Sequence, residues 1–354
     1  MTILVTGANG FIGRHLCNQL TQQGQPVIAM LRRPEQLKTL QNFIRQNGGN
    51  AALISAVQAD LDTPGLDLRS KLPPLTAIVH LAARFAWGMD TETARRTNTD
   101  GALSIAELAR TLRCRLIMIS GFMLENHGHL RRLGIEPDAL YKTDWLRVYR
   151  RTGAYEASKL EGALRVREFC SENHVDMIEV QPATVAGHSQ SGDLDSGQPL
   201  YTLMDNLCAG RLAMIPGTSE HWLPLVSVDQ LAAIIAAACR ATSPPKRLLA
   251  LDPNTPNLKG LLGILANELS RTPPTRHLPM NILKALLMIP GMQTLMNTST
   301  ETLDFIQPTR FDTAQTQLFM HEQNIDVADI DSVIRTTAQR FQQAKQSPHL
   351  QTES

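Results

Sequence analysis

The chain has 354 residues, a formal net charge of +1 and 43% hydrophobic residues. That length exceeds the needs of one small core and suits a large α/β domain with a smaller companion. Near-neutral charge excludes bulk electrostatics as a route to nucleic acid. Cys17, Cys114, Cys170, Cys208 and Cys239 are scattered and form no Cys-x-x-Cys pair. They speak against a disulfide framework or a metal site and predict a reducing, cytoplasmic setting. No secretory leader is expected, because the first apolar residues belong to a strand.

That strand is Ile3-Leu4-Val5. Thr6-Gly7-Ala8-Asn9-Gly10-Phe11-Ile12-Gly13 follows and opens a helical pattern in which Phe11, Ile12, Leu16 and Leu20 share one face. A strand, a glycine turn and a helix in this order make the first unit of a dinucleotide-binding fold. Gly7 permits the tight turn, Gly10 lets backbone approach a pyrophosphate, and Gly13 lets the helix pack closely. The helix N-terminus offers N–H groups and a partial positive charge to phosphates. Gly7, Asn9, Gly10, Phe11, Ile12 and Gly13 are therefore cofactor-binding candidates. The Gly-x-x-Gly-x-x-Gly spacing resembles the short-chain dehydrogenase/reductase superfamily, and Thr-Gly-x-x-Gly-Phe-Ile-Gly resembles its extended branch, the epimerase/dehydratase-like family. The resemblance spans about residues 2–252.

Residues 26–31 read as the second strand and end at Arg32, Arg33 and Pro34. In dinucleotide folds this position faces the adenosine ribose, where an arginine accommodates a 2′-phosphate and a carboxylate bonds a 2′-hydroxyl. Arg32 and Arg33 thus predict NADP(H) over NAD(H); the plainer alternative is a solvated loop. A third strand at 53–57 leads to Asp60-Leu61, which resembles the family's adenine-holding pair, although Asp62 and Asp67 also allow a plain acidic loop. A fourth strand at 77–81 runs into His80-Leu81-Ala82-Ala83, similar to the family's His-x-Ala-Ala. Leu81, Ala82 and Ala83 would line the cofactor, and His80 reads as packed, not catalytic. Asn98 and Gly101 resemble an Asn-x-x-Gly element at the opening of the next helix, whose asparagine supports the site.

The fifth strand, 116–119, ends at Ser120-Gly121-Phe122. The family writes two or three Ser/Thr residues here, and Gly121 occupies the position of the substrate-bonding donor. Ser120 is the hydroxyl that remains. From Arg131 to Arg151 six Lys/Arg face three carboxylates, either as a solvated face or as an anion site for a phosphorylated substrate or carrier. Tyr155-Glu156-Ala157-Ser158-Lys159 then sets a phenol and an ammonium four residues apart, on one helix face. It matches the superfamily's Tyr-x-x-x-Lys, which implies Tyr155 as general acid/base. Lys159, together with the oxidised nicotinamide, would lower the phenol's pKa from its ordinary value of about 10, and Lys159 would also hold the ribose hydroxyls.

A sixth strand at 177–180 leads into Gln181-Pro182-Ala183-Thr184-Val185-Ala186-Gly187, similar to Arg-Pro-x-x-Val-x-Gly with Gln181 in place of the arginine. The resemblance assigns Pro182, Ala183 and Thr184 to the nicotinamide. Asp229 reads as the N-cap of an apolar helix, and residues 247–251 as a seventh strand. Beyond Asp252 no strand pairing is evident. The apolar stretch 278–296 is broken by Asn281, Lys284, Pro290 and Gln293, so no membrane span is expected. Its Leu283, Leu286, Leu287, Met288, Met292, Leu295 and Met296 form core, a dimer face or an apolar substrate pocket.

These features predict a doubly wound parallel Rossmann sheet with a smaller, mostly helical C-terminal substrate domain. The Rossmann domain would take 1–182 and 226–252, the substrate domain 183–225 and 253–342, and a disordered tail 343–354. The expected activity is reversible NADP(H)-dependent reduction of a ketone or aldehyde on an apolar small molecule, by a possible homodimer. Three alternatives stay open: a nucleotide-sugar epimerase or dehydratase, an acyl-thioester reductase, and a non-catalytic NADP(H)-binding regulator.

Overall fold

A computed structural model describes residues 2–68, 71–84 and 89–346. In chain order its elements begin with β1 (Ile3–Thr6), α1 (Phe11–Gln22), β2 (Val27–Leu31), α2 (Gln36–Gln46), β3 (Ile54–Gln58) and β4 (Ala77–His80). Next come α3 (Thr91–Arg95), α4 (Gly101–Leu112), β5 (Arg115–Ile119), α5 (His127–Leu133), α6 (Trp145–Thr152), α7 (Ala154–Glu172) and β6 (Met177–Pro182). The remainder comprises β7 (Thr184–Ala186), α8 (Pro199–Cys208), β8 (Ile215–Pro216), β9 (Leu225–Ser227), α9 (Val228–Arg240) and β10 (Arg247–Ala250). After these follow α10 (Leu258–Glu268), β11 (His277–Leu278), α11 (Met280–Leu287), α12 (Met292–Leu295), α13 (Thr300–Leu303), α14 (Ala314–Glu322) and α15 (Ile330–Gln346).

The chain divides into two compact units, one built from residues up to 181 with 232–249 and 315–325, the other from 182–231, 250–314 and 326 onward. In the first, seven strands form one sheet in the order β10-β6-β5-β4-β1-β2-β3. The ladders from β3 through β6 are parallel. Helices cover both faces, so β1, β2 and β4 are buried along their whole length, and their sequences are continuous apolar runs. β1 lies between β2 and β4. The strand order therefore reverses at β1, and a crevice opens at the strands' carboxyl ends.

On one face Leu4, Ile78, Leu116 and Met118 of the sheet pack against Ile105 and Ala109 of α4 and Leu160 and Leu164 of α7. Small residues set how closely these layers approach. A Cβ at Gly162 of α7 would lie 2.4 Å from the Asn98 carbonyl oxygen. Asn98 belongs to a π-helical turn, Arg96–Asp100, that joins α3 to α4. The helix therefore starts earlier than its Asn-x-x-Gly signature suggests: Asp90 caps it, accepting from the Thr93 N–H at 2.8 Å.

In the second unit β7 pairs with β9 and β8 with β11, both in parallel. The second pairing corrects the expectation of no strand beyond Asp252; two-residue strands leave no alternation to read. Trp222 is fully buried, bridges to Asn257 and Gln307, and donates its indole N–H to the Thr309 carbonyl. Asp229 is not an N-cap. It lies inside the first turn of α9 and accepts from the Ser189 N–H at 2.8 Å and hydroxyl at 2.6 Å, while Ser227 Oγ accepts from Gln230 N–H. The 278–296 stretch breaks between α11 and α12, at Pro290 and a left-handed Gly291 (φ +84°). Residues 347–354 of the C-terminal tail lie outside the described residues. Among the described residues no helix is long and apolar enough to cross a membrane.

Candidate active site

A cleft of about 400 Å³ lies at the carboxyl ends of the first four strands. Gly7, Asn9 and Gly10 form its floor, Arg32 and Gln36 one wall, Asp60 and Leu61 the next, and Ala82 and Ala83 the last. Gly7 has φ +66°, and a Cβ on it would meet the Ala82 nitrogen at 2.8 Å. A Cβ on Gly13 would come within 2.0 Å of the Gly7 carbonyl oxygen. Gly13 therefore packs α1 onto the glycine turn itself. No side chain caps the start of α1, and its first turn carries no carboxylate. A helix start of this kind favours an anion. Together the uncapped helix start, the glycine approach and the alanine wall form a cradle that suits a dinucleotide pyrophosphate.

Eight residues singled out in the sequence line this cleft: Gly7, Asn9, Gly10, Arg32, Asp60, Leu61, Ala82 and Ala83. Phe11, Ile12, Gly13, Arg33, Leu81 and Asn98 lie outside its lining. Phe11 is buried edge-on to His15, and the Arg14 guanidinium sits 5.3 Å above its ring. Asp60 accepts from the Asp62 N–H at 3.0 Å, shaping the loop after β3. Asp62 in turn accepts from the Thr97 hydroxyl. Thr6, Gln36, Asp62 and Thr97 also line the cleft, although the sequence assigned none of them to the cofactor. Thr6 stood inside the quoted motif and Gln36 followed the paired arginines, whereas the Asp62–Thr97 contact spans residues with no local signal.

His80 is buried, and its Nδ1 accepts from the Thr6 hydroxyl at 2.9 Å, while Thr6 Oγ1 accepts from the Ala82 N–H at 3.1 Å. Burial, aided by the Lys159 charge, pushes the imidazole down to about 3. The neutral imidazole thus ties β4 to β1 through Thr6, whose hydroxyl also holds the loop after β4. Asn98 holds the same loop from the other side. Its Oδ1 accepts from the Arg84 N–H at 2.8 Å, and its amide donates to the Arg84 carbonyl and to Ser158 Oγ at 3.0 Å. Its role is to fix the loop to α7.

α7 carries Tyr155 in its first turn and Lys159 one turn later, on the same face. The turn into α7 depends on Gly153, at φ +80°. Lys159 Nζ donates to the Ile119 carbonyl at 3.0 Å, at the end of β5 and one residue before Ser120. Burial pushes the ammonium down to about 8, with Glu179 opposing. The Tyr155 phenol moves the other way, up to about 12, from burial first and then the Glu156 charge. In the protein alone the ammonium serves the Ile119 carbonyl, and desolvation of the phenolate dominates.

Ser120 is buried, and its hydroxyl has no hydrogen-bond partner. Gly121 has extended backbone, and a Cβ there would meet nothing within 4 Å. Beside Ser120, one strand over, lies Gln181. The β5–β6 register pairs Ile119 with Val180, so strand alternation puts Ser120 and Gln181 on one face. Both polar atoms of the Gln181 amide are buried without a partner. Ser120 and Gln181 thus stand on neighbouring strands with buried polar atoms that have no partner among the described residues. Pro182 ends β6, and Ala183 and Thr184 continue, buried, in the second unit.

The apolar segment named as a pocket does three different things. Leu283 and Met296 line a cavity of the second unit. Leu287 is fully buried against Leu283 and Leu303, and Met288 and Leu295 are exposed.

Residues 3–249 match the NAD dependent epimerase/dehydratase family. The chain belongs to that family. Its members bind NAD(P), and an enzyme of the reductase or epimerase kind follows. The chain is 27% identical over 240 residues to a dihydroflavonol 4-reductase of Hordeum vulgare, covering 65% of this chain and 64% of that relative, so it spans less than two thirds of the relative's length. It is 32% identical over 139 residues to a ceramide reductase of Caulobacter vibrioides, covering 37% of this chain and 40% of the relative. Among solved structures, the terminal R domain of the myxalamid biosynthetic pathway superposes with a TM-score of 0.74 at 18% identity, covering 99% of this chain and 92% of that one. This last likeness concerns the fold alone.

Proposed function

We propose that the chain reversibly reduces a ketone or aldehyde carbonyl on an apolar small molecule, using NADP(H), with Tyr155 as the proton donor. The observation that carries this reading is Lys159, a buried ammonium tied to the end of β5, one turn from Tyr155 and beside the orphan hydroxyl of Ser120. Glycine turn, α1 N-terminus and alanine wall hold the dinucleotide, and Arg32 meets the 2′-phosphate. When bound, the cofactor supplies the hydride; the chain supplies placement and the proton. Tyr155 keeps its proton at neutral pH, the form a donor needs, and Ser120 and the Gln181 amide orient the substrate oxygen. Lys159 holds positive charge beside the developing alkoxide. Two relatives that bear reductase names support reduction over sugar epimerisation.

A screen of ketones and aldehydes, followed by NADPH absorbance with NADH run in parallel, tests the reading. Turnover with NADPH supports it; none with either cofactor counts against it. A second reading, reduction of a carrier-bound acyl thioester, draws on Arg131, Arg132, Lys142, Arg147, Arg150 and Arg151, all exposed around α5 and α6. NADPH consumption with an acyl-carrier substrate, and none with free carbonyls, would favour it.

A further inference from the structure

We propose that the second unit binds the alkyl chain of a single-chain amphiphile in its own cavity. This cavity measures about 220 Å³ and is walled by Leu203, Leu223, Leu258, Leu262, Leu283 and Met296, among others. An apolar cavity of about 150 Å³ takes up benzene and excludes water, so this one accommodates a larger hydrocarbon. Polar groups reach it only from Thr202, Asn206, Arg211, Thr298 and Thr302. Most of these are already engaged. Asn206 exchanges hydrogen bonds with Asn297, Arg211 pairs with Asp205 at 3.3 Å, and Thr302 bonds Ser299. The Thr202 and Thr298 hydroxyls make no side-chain hydrogen bond among the described residues, which leaves them for a small polar head.

The lining chooses between ligand classes. A nucleotide diphosphate needs several cations, and the lining offers one, Arg211, which already bonds Asp205 and Asn206. A polycyclic ligand gains from ring faces, and Phe305 is the single aromatic residue of the lining. Leucine and methionine walls adapt to a flexible chain instead. Met214 lines the cavity and is also exposed, which marks its mouth. The segment that contributes Leu283 and Met296 also turns Met288, Ile289 and Leu295 to solvent, an apolar surface of the kind amphiphiles settle on.

The proposal deepens the apolar-substrate reading and rests on it for its meaning, but its test needs neither cofactor nor turnover. The full chain is loaded with a fluorescent polyene fatty acid, which is displaced by 1-alkanols of increasing length. Affinity should rise about fourfold per methylene until the cavity is full, then level off. Met296→Trp, which fills the space, should weaken the longest alkanols about tenfold with an unchanged melting temperature. Met296→Ala should move the plateau to a longer alkanol and serves as the check if the tryptophan variant folds poorly. Affinity that is flat with length, naphthols that outcompete every alkanol, or a Met296→Trp protein that folds and binds like wild type would overturn the proposal. Chain binding without carbonyl turnover would sink the reductase reading and leave the cavity standing; turnover without chain binding would do the reverse.

Discussion

The cleft of the first unit and the cavity of the second are walled by opposite materials. Backbone builds the cleft: the Gly7–Gly10 turn, the uncapped start of α1 and the Ala82–Ala83 loop, with Arg32 and Asp60 at its polar margin. Side chains build the cavity, most of them leucine, methionine and proline, drawn from segments up to about a hundred residues apart. A backbone site tolerates no change of shape, because a Cβ at Gly13 would strike the Gly7 carbonyl. A side-chain site can be retailored one residue at a time. On the proposed reading, chemistry and cofactor belong to the first unit and the alkyl chain to the second, so changes in each should move different observables.

The largest effect should come from the proton donor. Tyr155→Phe removes the phenol and keeps the ring, so NADPH binding followed by fluorescence should survive while kcat falls by about 10²–10⁴. Near-full activity would break the assignment of chemistry to α7. Ser120→Ala should come next. Its hydroxyl has no partner among the described residues, so the fold should not notice, whereas loss of a donor at the substrate oxygen costs about 10²–10³ in kcat. Gly121→Ser has open space for its side chain and should partly rescue that loss. A silent Ser120→Ala would leave Gln181 alone to meet the substrate oxygen.

A smaller, cofactor-specific effect should follow from Arg32→Asp. A charge-assisted hydrogen bond is worth about 1.5–3 kcal/mol, so NADP(H) should bind about tenfold more weakly or worse while NAD(H) holds or improves. Equal loss for both cofactors would remove Arg32 from the 2′-phosphate. The mildest effect is a pH limb. Lys159 is charged below about 8 and neutral above it, so kcat/KM for reduction should decline as pH rises through that value, and the limb should vanish in Lys159→Met. Stability carries the opposite sign. The unfolded lysine, titrating near 10.4, binds more protons between about 8 and 10.4, so this group's contribution to stability rises with pH across that window.

The two regions also differ in how far the sequence discloses them. The glycine turn is readable because each glycine answers a local steric demand, and Tyr155 and Lys159 because one helical turn separates them. The parallel sheet follows from its apolar runs. The role of Asp229 was misread because Ser189, its partner, is forty residues away. Thr97 and Asp62 meet across the cleft wall with no shared pattern. Helix periodicity brings the Lys159 ammonium to the right face but cannot show that a carbonyl of β5 takes it. The cavity was half seen: the 278–296 stretch was apolar enough to suggest a pocket, but only folding separates Leu283 and Met296, which line it, from Leu287, which is core.

The most direct measurement follows the hydride. NADPH deuterated at the transferable position of the nicotinamide, in each of its two stereochemical forms, is incubated with the wild-type chain and a medium-chain ketone, and the product is weighed by mass spectrometry. The account predicts that one form delivers a single deuterium to the carbinol carbon for every NADPH consumed. An unlabelled product with no net loss of NADPH, the signature of an enzyme that recycles its cofactor, would contradict it.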